Sequence, residues 1–345
     1  MRVAHVMAGA AQGGAEAFFE RLTLAQHRAG MEVLAVIRRE PGRAARLAAG
    51  GLAPVELGFG GVFDLMTGRR LRATLESFRP QVVVAWMNRA AGFCRGASVR
   101  APWALVGRLG GRYALKNYAG CDLLAANTQG LCDWIAGQGW PVKRLRHVPN
   151  FAADLFVAPW QPRAPRRLLA MGRLHPNKDF CTLLRALARL PGDVQLDLAG
   201  EGEERAMLTA LARELGIAAR VHFLGWRQDV GALLAQADML VVPSCIEPLG
   251  NVVLEGFAAA RPVIATAADG PREVIRAEET GLLVPIGDDA ALAAALARVL
   301  ADGGLAQRLA EAGRAAFLAR HAEAPVLAAW ARFLDDAAFL AKGRG

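Results

Sequence analysis

Short apolar strands and amphipathic helices alternate along this chain from its first residues, and that alternation constrains the fold more than any other feature. VAHVMAG reads as a strand, GAEAFFERLTLAQHRAG carries apolar residues at helical spacing and stops at Gly30, and MEVLAVIRR reads as a second strand. A βαβ rhythm implies a mostly parallel sheet with helices on its faces. PQVVVAWM, WALVGR and CDLLAANT continue the pattern, and HVPNF closes the first half. No repeat of short fixed period is present, which excludes a solenoid.

The rhythm breaks once. Over PWQPRAPRR, three prolines among basic residues can continue neither a helix nor a central strand. It then restarts with RRLLAMGRL, DFCTLLRALARL, VQLDLAG, EERAMLTALARELG, VHFLG, DVGALLAQA and MLVVPS. A chain of 345 residues exceeds one comfortable core, so two domains are expected. The expected division is an N-terminal Rossmann-like domain over 1–158 and a linker over 159–167. A C-terminal Rossmann-like domain follows over 168–318, with a helical segment over 319–345 that could return to the first domain. In doubly wound sheets ligands gather outside the carboxyl ends of the strands, so two such sheets are expected to face each other across a ligand-binding cleft.

Composition narrows the class. Apolar residues make up 54% and charged residues 21%, enough to bury a core throughout. The opening MRVAHVMAG is shorter than a secretory h-region, and no apolar run approaches the roughly 20 residues of a membrane helix. A cytoplasmic protein is expected. The five cysteines are scattered without a C-x-x-C pair, which argues against zinc or redox work. A formal charge of +9 favours an anionic partner, whether nucleic acid, phosphorylated lipid or an acidic membrane surface.

Several loops could hold a ligand. In GAAQGGAEAFFE, Gly9, Gly13 and Gly14 precede a helix whose N-terminal amides could meet an anion, although the turn is not G-x-G-x-x-G. Gly172, Arg173 and Lys178 occupy GRLHPNKDF, where a planar guanidinium fork and a point charge could meet at one pyrophosphate. Gly200 marks a turn after the next strand. The most informative segment is VPSCIEPLGNVVLEGF. Glu247 lies in its loop, a helix is expected near Leu249, and Glu255 then falls roughly 8 to 9 Å further along. The amides of Gly250 and Asn251 would sit at the positive end of that helix, and each carboxylate suits diol recognition. Read singly, each of these features also fits an ordinary solvated loop.

Taken in order, GGAE at 13–16, VPN at 148–150, GRL with Lys178, the Gly200 turn, FLG, AD before VPS, EPLGNVVLE and GLLVP resemble a known family. They match the E-x7-E signature of retaining glycosyltransferases of the GT-B fold, family four. The resemblance covers nearly the whole chain. It implies that Arg173 and Lys178 bind the diphosphate of a nucleotide-sugar donor, that Glu247 meets the transferred sugar and Glu255 the ribose, and that Gly172, Gly200, Leu249, Gly250 and Asn251 complete the pocket. Trp226 and Arg227 would line the nucleobase site, Gly13 and Gly14 would approach from the first domain, and Arg108 and Asn88 would lie on the acceptor side. The stretch RLGGRYALKNYAGCDLLAANTQGLCDWIAGQGWP further resembles enzymes of lipopolysaccharide core or other envelope glycans.

The expected activity is therefore transfer of a hexose-type sugar from a nucleoside-diphosphate sugar to a glycan or lipid-linked acceptor, with retention and with no metal or other cofactor. Many relatives carry a His where this chain has Arg108, which puts a His role in doubt. A nucleotide-sugar epimerase of the same fold and a non-catalytic nucleotide-sugar binding protein are the alternatives. D-x-D, H-E-x-x-H, G-K-[ST] and G-x-S-x-G are absent. Nucleic-acid binding is disfavoured because the basic residues are dispersed and no aromatics interleave them. Val62, Phe63, Leu65 and Met66 beside Arg69, Arg70 and Arg72 could touch an anionic membrane, placing the protein at the inner face of the cytoplasmic membrane, or could simply form an amphipathic helix with a solvated basic face.

Overall fold

Strands covered by helices on both faces need no polar side, and the central strands here are mostly apolar, with His5 and Arg108 as buried exceptions. The computed structural model of the chain describes residues 1–11, 13–60, 64–99, 101–162, 164 and 166–342. It divides into two compact units, one formed by Met1–Asn150 with Glu323–Gly345 and the other by Phe151–Ala322. Both are doubly wound α/β structures.

The first unit holds seven parallel strands: β1 (Arg2–Met7), β2 (Glu32–Arg38), β3 (Val55–Leu57), β4 (Val82–Trp86), β5 (Ala104–Leu109), β6 (Leu123–Ala126) and β7 (Leu145–His147). Their order is β3-β2-β1-β4-β5-β6-β7, so the winding reverses between β1 and β4. Val3 pairs with Val33 on one side and Val82 on the other. Every residue of β4, β5 and β6 is buried.

The last helix, Glu323–Lys342, belongs to this unit. It buries Val326, Trp330, Phe333, Leu334 and Ala337. The Trp330 ring stacks on Trp86 with centroids 6.3 Å apart, and Glu323 pairs with Arg28 at 3.0 Å.

His5 lies beneath these rings, fully enclosed. The Trp86 indole N–H donates to His5 Nδ1 at 3.1 Å, so the imidazole carries its proton on Nε2 and donates it to Gln26 Oε1 at 2.7 Å. This neutral tautomer satisfies both ring nitrogens, and burial pushes the pKa down from 6.5 to about 4.

The second unit holds six parallel strands: β8 (Arg166–Met171), β9 (Val194–Ala199), β10 (Val221–Gly225), β11 (Met239–Val242), β12 (Val263–Thr266) and β13 (Leu282–Val284). Their order, β10-β9-β8-β11-β12-β13, reverses between β8 and β11. Alternate strand residues serve opposite faces. Leu168, Leu196, Met239 and Ile264 join one apolar cluster, and Leu169, Leu240, Val263 and Ala265 join another.

The chain passes into this unit at 150/151, ahead of the proline-rich stretch rather than within it. Trp160 is the reason. Its indole donates to Asp238 O at 2.7 Å while its ring packs on the core, and Arg261 reaches Ala158 O at 3.2 Å. Prolines forbid regular structure here, but the side chains between them still anchor the segment to the second sheet.

The buried His5 ties stability to pH. The unfolded chain accepts a proton near pH 6.5 that the folded one refuses until about pH 4, so stability falls as pH is lowered through that window. The fall is expected to reach about 3 kcal/mol, measured by denaturant unfolding of the first unit across the window. His5→Asn should flatten that slope.

Candidate functional site

Where the winding of a parallel sheet reverses, the loops leaving two adjacent strand ends run to opposite faces and open a crevice. In the second unit that point lies between β8 and β11. The loops following these two strands carry Gly172–Lys178 and Pro243–Gly250, the segments singled out from sequence.

The structure brings these loops together. The Ile246 amide donates to Asn177 O at 3.1 Å, and the Lys178 ammonium is paired with the Glu247 carboxylate through Oε2. Glu247 Oε1 accepts the Gly250 amide at 3.1 Å, and its carbonyl accepts Gly270 N–H at 2.8 Å. Glu247 thus bridges a cation and a helix-opening amide. Its side chain is 11% exposed and that of Lys178 23%.

Gly250 adopts φ +74° and begins the helix at Asn251, later than the expected start near Leu249. Glu255 therefore lies a single turn in, about 6 Å of rise beyond Asn251 and on the same side of the helix. Leu249 is buried, whereas Asn251 and Glu255 are half-buried.

Backbone contact fixes the other side of the site. Gly172 N–H donates to Ala199 O at 3.0 Å, Leu174 N–H to Glu201 O at 2.9 Å, and Glu204 N–H to Leu174 O at 3.1 Å. The approach is so close that a Cβ on Gly200 would lie 1.8 Å from Gly172 O, and one on Gly202 would lie 2.2 Å from Leu174 O. Gly200 N–H continues the run to Gly225 O at 2.8 Å, so the ends of β8, β9 and β10 are sewn side by side. Trp226, just beyond, is 58% exposed, and Arg227 pairs with Asp229 at 2.7 Å.

Arg173 takes a different partner from Lys178. Its guanidinium pairs with Glu203 at 3.1 Å, and His175 Nε2 lies 3.6 Å from the other oxygen of that carboxylate. The backbone amide of Glu203 itself, together with Arg173, holds its carboxyl below the ordinary range. Sequence reasoning missed Glu203. The signal available was an acid directly after Gly202, in the turn that faces the basic loop.

In the first unit the glycine-rich turn is filled from within. Glu16 folds back on it, accepting the Ala10 amide at 2.9 Å, and a Cβ on Gly9 or Gly13 would meet a Glu16 oxygen at 2.3 Å. Arg43, fully buried, donates to Ala10 O at 2.5 Å from the opposite side. Glu16 is the second residue the sequence reading passed over, although it stands within the GGAE run. Gly14 opens the first helix at the surface.

Arg108 is 2% exposed, its guanidinium over the rings of Phe18 and Trp86 at 5.3 and 5.2 Å and donating to Asn150 Oδ1. Burial pushes its pKa down to about 10, so it stays charged at neutral pH. Arg108 Nε and Asn88 Oδ1 are enclosed without partners.

Val62 and Phe63 lie outside the described residues. Leu65 and Met66 are exposed at the start of the helix Leu65–Phe78, as are Arg69, Arg70 and Arg72 along it. Among the described residues, no three His, Cys, Asp or Glu side chains cluster where they could hold a metal, and no helix is long and apolar enough to cross a membrane.

Comparison with known proteins decides the family. A family model for glycosyl transferases group 1 matches residues 158–316. The lipopolysaccharide core biosynthesis glycosyltransferase LpsE of Rhizobium meliloti (strain 1021) is 36% identical over 322 residues, covering 89% of this chain and 91% of that protein. The chain belongs to the group 1 glycosyl transferases. LpsD of the same organism, also a lipopolysaccharide core biosynthesis glycosyltransferase, is 33% identical over 351 residues, covering 97% and 98% of the two chains. The crystal structure of Anabaena Alr3699/HepE in complex with UDP-glucose superposes with a TM-score of 0.85 at 21% identity, covering 97% of this chain and all of that one, which supports the GT-B fold. This group 1 glycosyltransferase therefore presents its two glycine-closed loops, Lys178 and Arg173 at the switch point of its second sheet.

The glycine contact can be tested directly. Gly202→Ala should destabilise the second unit by about 2 to 3 kcal/mol, because backbone must move. Gly192→Ala, where a Cβ meets nothing within 4 Å, should change stability by less than about 0.5 kcal/mol. Thermal unfolding of the two variants checks the contrast.

Proposed function

We propose that the second unit binds a nucleoside-diphosphate sugar at the β8/β11 switch point, and that this glycosyltransferase moves a hexose-type sugar to a glycan or lipid-linked acceptor. The observation that carries this reading is the convergence of Lys178, Glu247 and the Gly250 amide on one strand-end crevice. In the bound state Lys178, Arg173 and the amides of Gly250 and Asn251 would take the diphosphate, Glu247 the sugar hydroxyls and Glu255 the ribose. Gly172, Gly200 and Leu249 would form the walls, with Trp226 and Arg227 beside the base. Gly13 and Gly14 on the donor side, and Arg108 and Asn88 on the acceptor side, complete the assignment. The partnerless Arg108 Nε and Asn88 Oδ1 support the latter pair.

The chemistry follows from charge. As the anomeric carbon–phosphate oxygen bond breaks, its electron pair passes to the departing diphosphate. Two cations and a helix terminus stabilise that developing charge more strongly than they stabilise the ground state. No bound metal is needed for this role in the proposed mechanism. We infer retention: the acceptor hydroxyl forms its bond to carbon on the face the diphosphate leaves, and passes its proton to a diphosphate oxygen.

The acceptor we propose is lipopolysaccharide or a related envelope glycan. Support comes from two curated relatives, LpsE and LpsD, each described as a lipopolysaccharide core biosynthesis glycosyltransferase. A cytoplasmic location with peripheral contact to an anionic membrane face is part of the same reading, supported by exposed Leu65 and Met66 ahead of exposed Arg69, Arg70 and Arg72.

Lys178→Ala and Arg173→Ala should each lower turnover by about 10²- to 10³-fold with a smaller change in KM. Donor consumption and product formation with an envelope-glycan acceptor give the measurement. Unchanged turnover in both variants rules out the assignment. Screening uridine, guanosine and adenosine diphosphates by thermal shift, before kinetics, identifies the base through the stability a bound ligand confers.

A further inference from the structure

Each cation of the loop after β8 is already held by a carboxylate of its own unit. Lys178 has Glu247, and Arg173 has Glu203. Glu203 differs from its counterpart, because it lies outside the EPLGNVVLE segment, on the turn after Gly202, with its side chain 52% exposed. Its location is nonetheless fixed. The two hydrogen bonds on either side of Leu174, to Glu201 O and from Glu204 N–H, clamp the 201–204 turn against the basic loop, with Gly202 pressed on Leu174 O. With the turn held there, Glu203 lies within reach of both Arg173 and His175.

We propose that Glu203 is a positioning residue that stands in for the donor's diphosphate, holding Arg173 at the strand end in the ligand-free protein and yielding it when the diphosphate arrives. The inference rests on the donor-site reading above. A guanidinium matches both carboxylate and phosphate oxygens bidentately, so the two anions compete for one fork. The diphosphate carries more charge and wins, but only after the internal pair is broken. His175, 3.6 Å from the second Glu203 oxygen, gives the released carboxylate a polar neighbour. Glu203 therefore keeps Arg173 extended over the site at a cost in donor affinity.

The test is titration calorimetry on the full chain with uridine, guanosine and adenosine diphosphates and their parent nucleosides. Glu203→Gln should tighten binding of the preferred diphosphate about three-fold, the scale of one solvent-exposed ion pair, and leave the nucleoside unchanged. Glu203→Ala should show the same gain, and the gain should vanish when Arg173→Gln is present. Equal or weaker diphosphate binding in both Glu203 variants overturns the proposal, as does a gain that persists without Arg173. If the wild-type chain binds none of the three diphosphates, the donor reading falls and the stand-in role with it.

Discussion

The hydrogen bond from the Ile246 amide to Asn177 O, reinforced by the Lys178–Glu247 ion pair, joins loops almost seventy residues apart in sequence, and the candidate site depends on it. Each loop alone would be an exposed turn with a charge on it. Clasped, they set an ammonium, a carboxylate and a helix-opening amide in one chain of contacts. The pairing is possible because β8 and β11 are hydrogen-bonded neighbours, so their carboxyl ends start one strand spacing apart. The sheet order is thus the first determinant of the chemistry.

The two units use the same topology to different ends. At the β8/β11 reversal each cation is matched by a carboxylate, Lys178 by Glu247 and Arg173 by Glu203. Around the glycine turn of the first unit the charges are interior. Glu16 fills the turn, Arg43 locks it from below, and Arg108 lies sandwiched over two aromatic rings. Burying a guanidinium without a carboxylate is costly, and the rings and the Asn150 carbonyl oxygen offset only part of that cost. One reversal point pairs its cations with carboxylates, and the other holds a guanidinium against aromatic rings.

Much of this was legible in the residues. The strand–helix alternation gave both sheets, because parallel strands covered on two faces must be apolar along their length. The spacing of Glu247 and Glu255, with glycine between them, marked the helix terminus. What remained hidden was pairing. Nothing local in GEGEE announces that Glu203 will reach Arg173, since the contact depends on a glycine-to-carbonyl approach across two strand ends. Likewise the GGAE run advertised its glycines, while the carboxylate that needs the space they leave was read past. The proline-rich stretch was recognised as a break in regular structure, but its attachment to the second sheet through Trp160 is tertiary and has no sequence periodicity.

The first unit is assembled from two segments that flank the second in sequence. Trp86 and His5 are covered by Trp330, on a helix that follows the second unit in sequence, whereas that unit is continuous from Phe151 to Ala322. During vectorial synthesis the unit encoded second can thus complete its core first, leaving the earlier-made sheet with an open apolar flank for the time needed to translate about half the chain. Nascent-chain protection by chaperones would matter for the first unit far more than for the second.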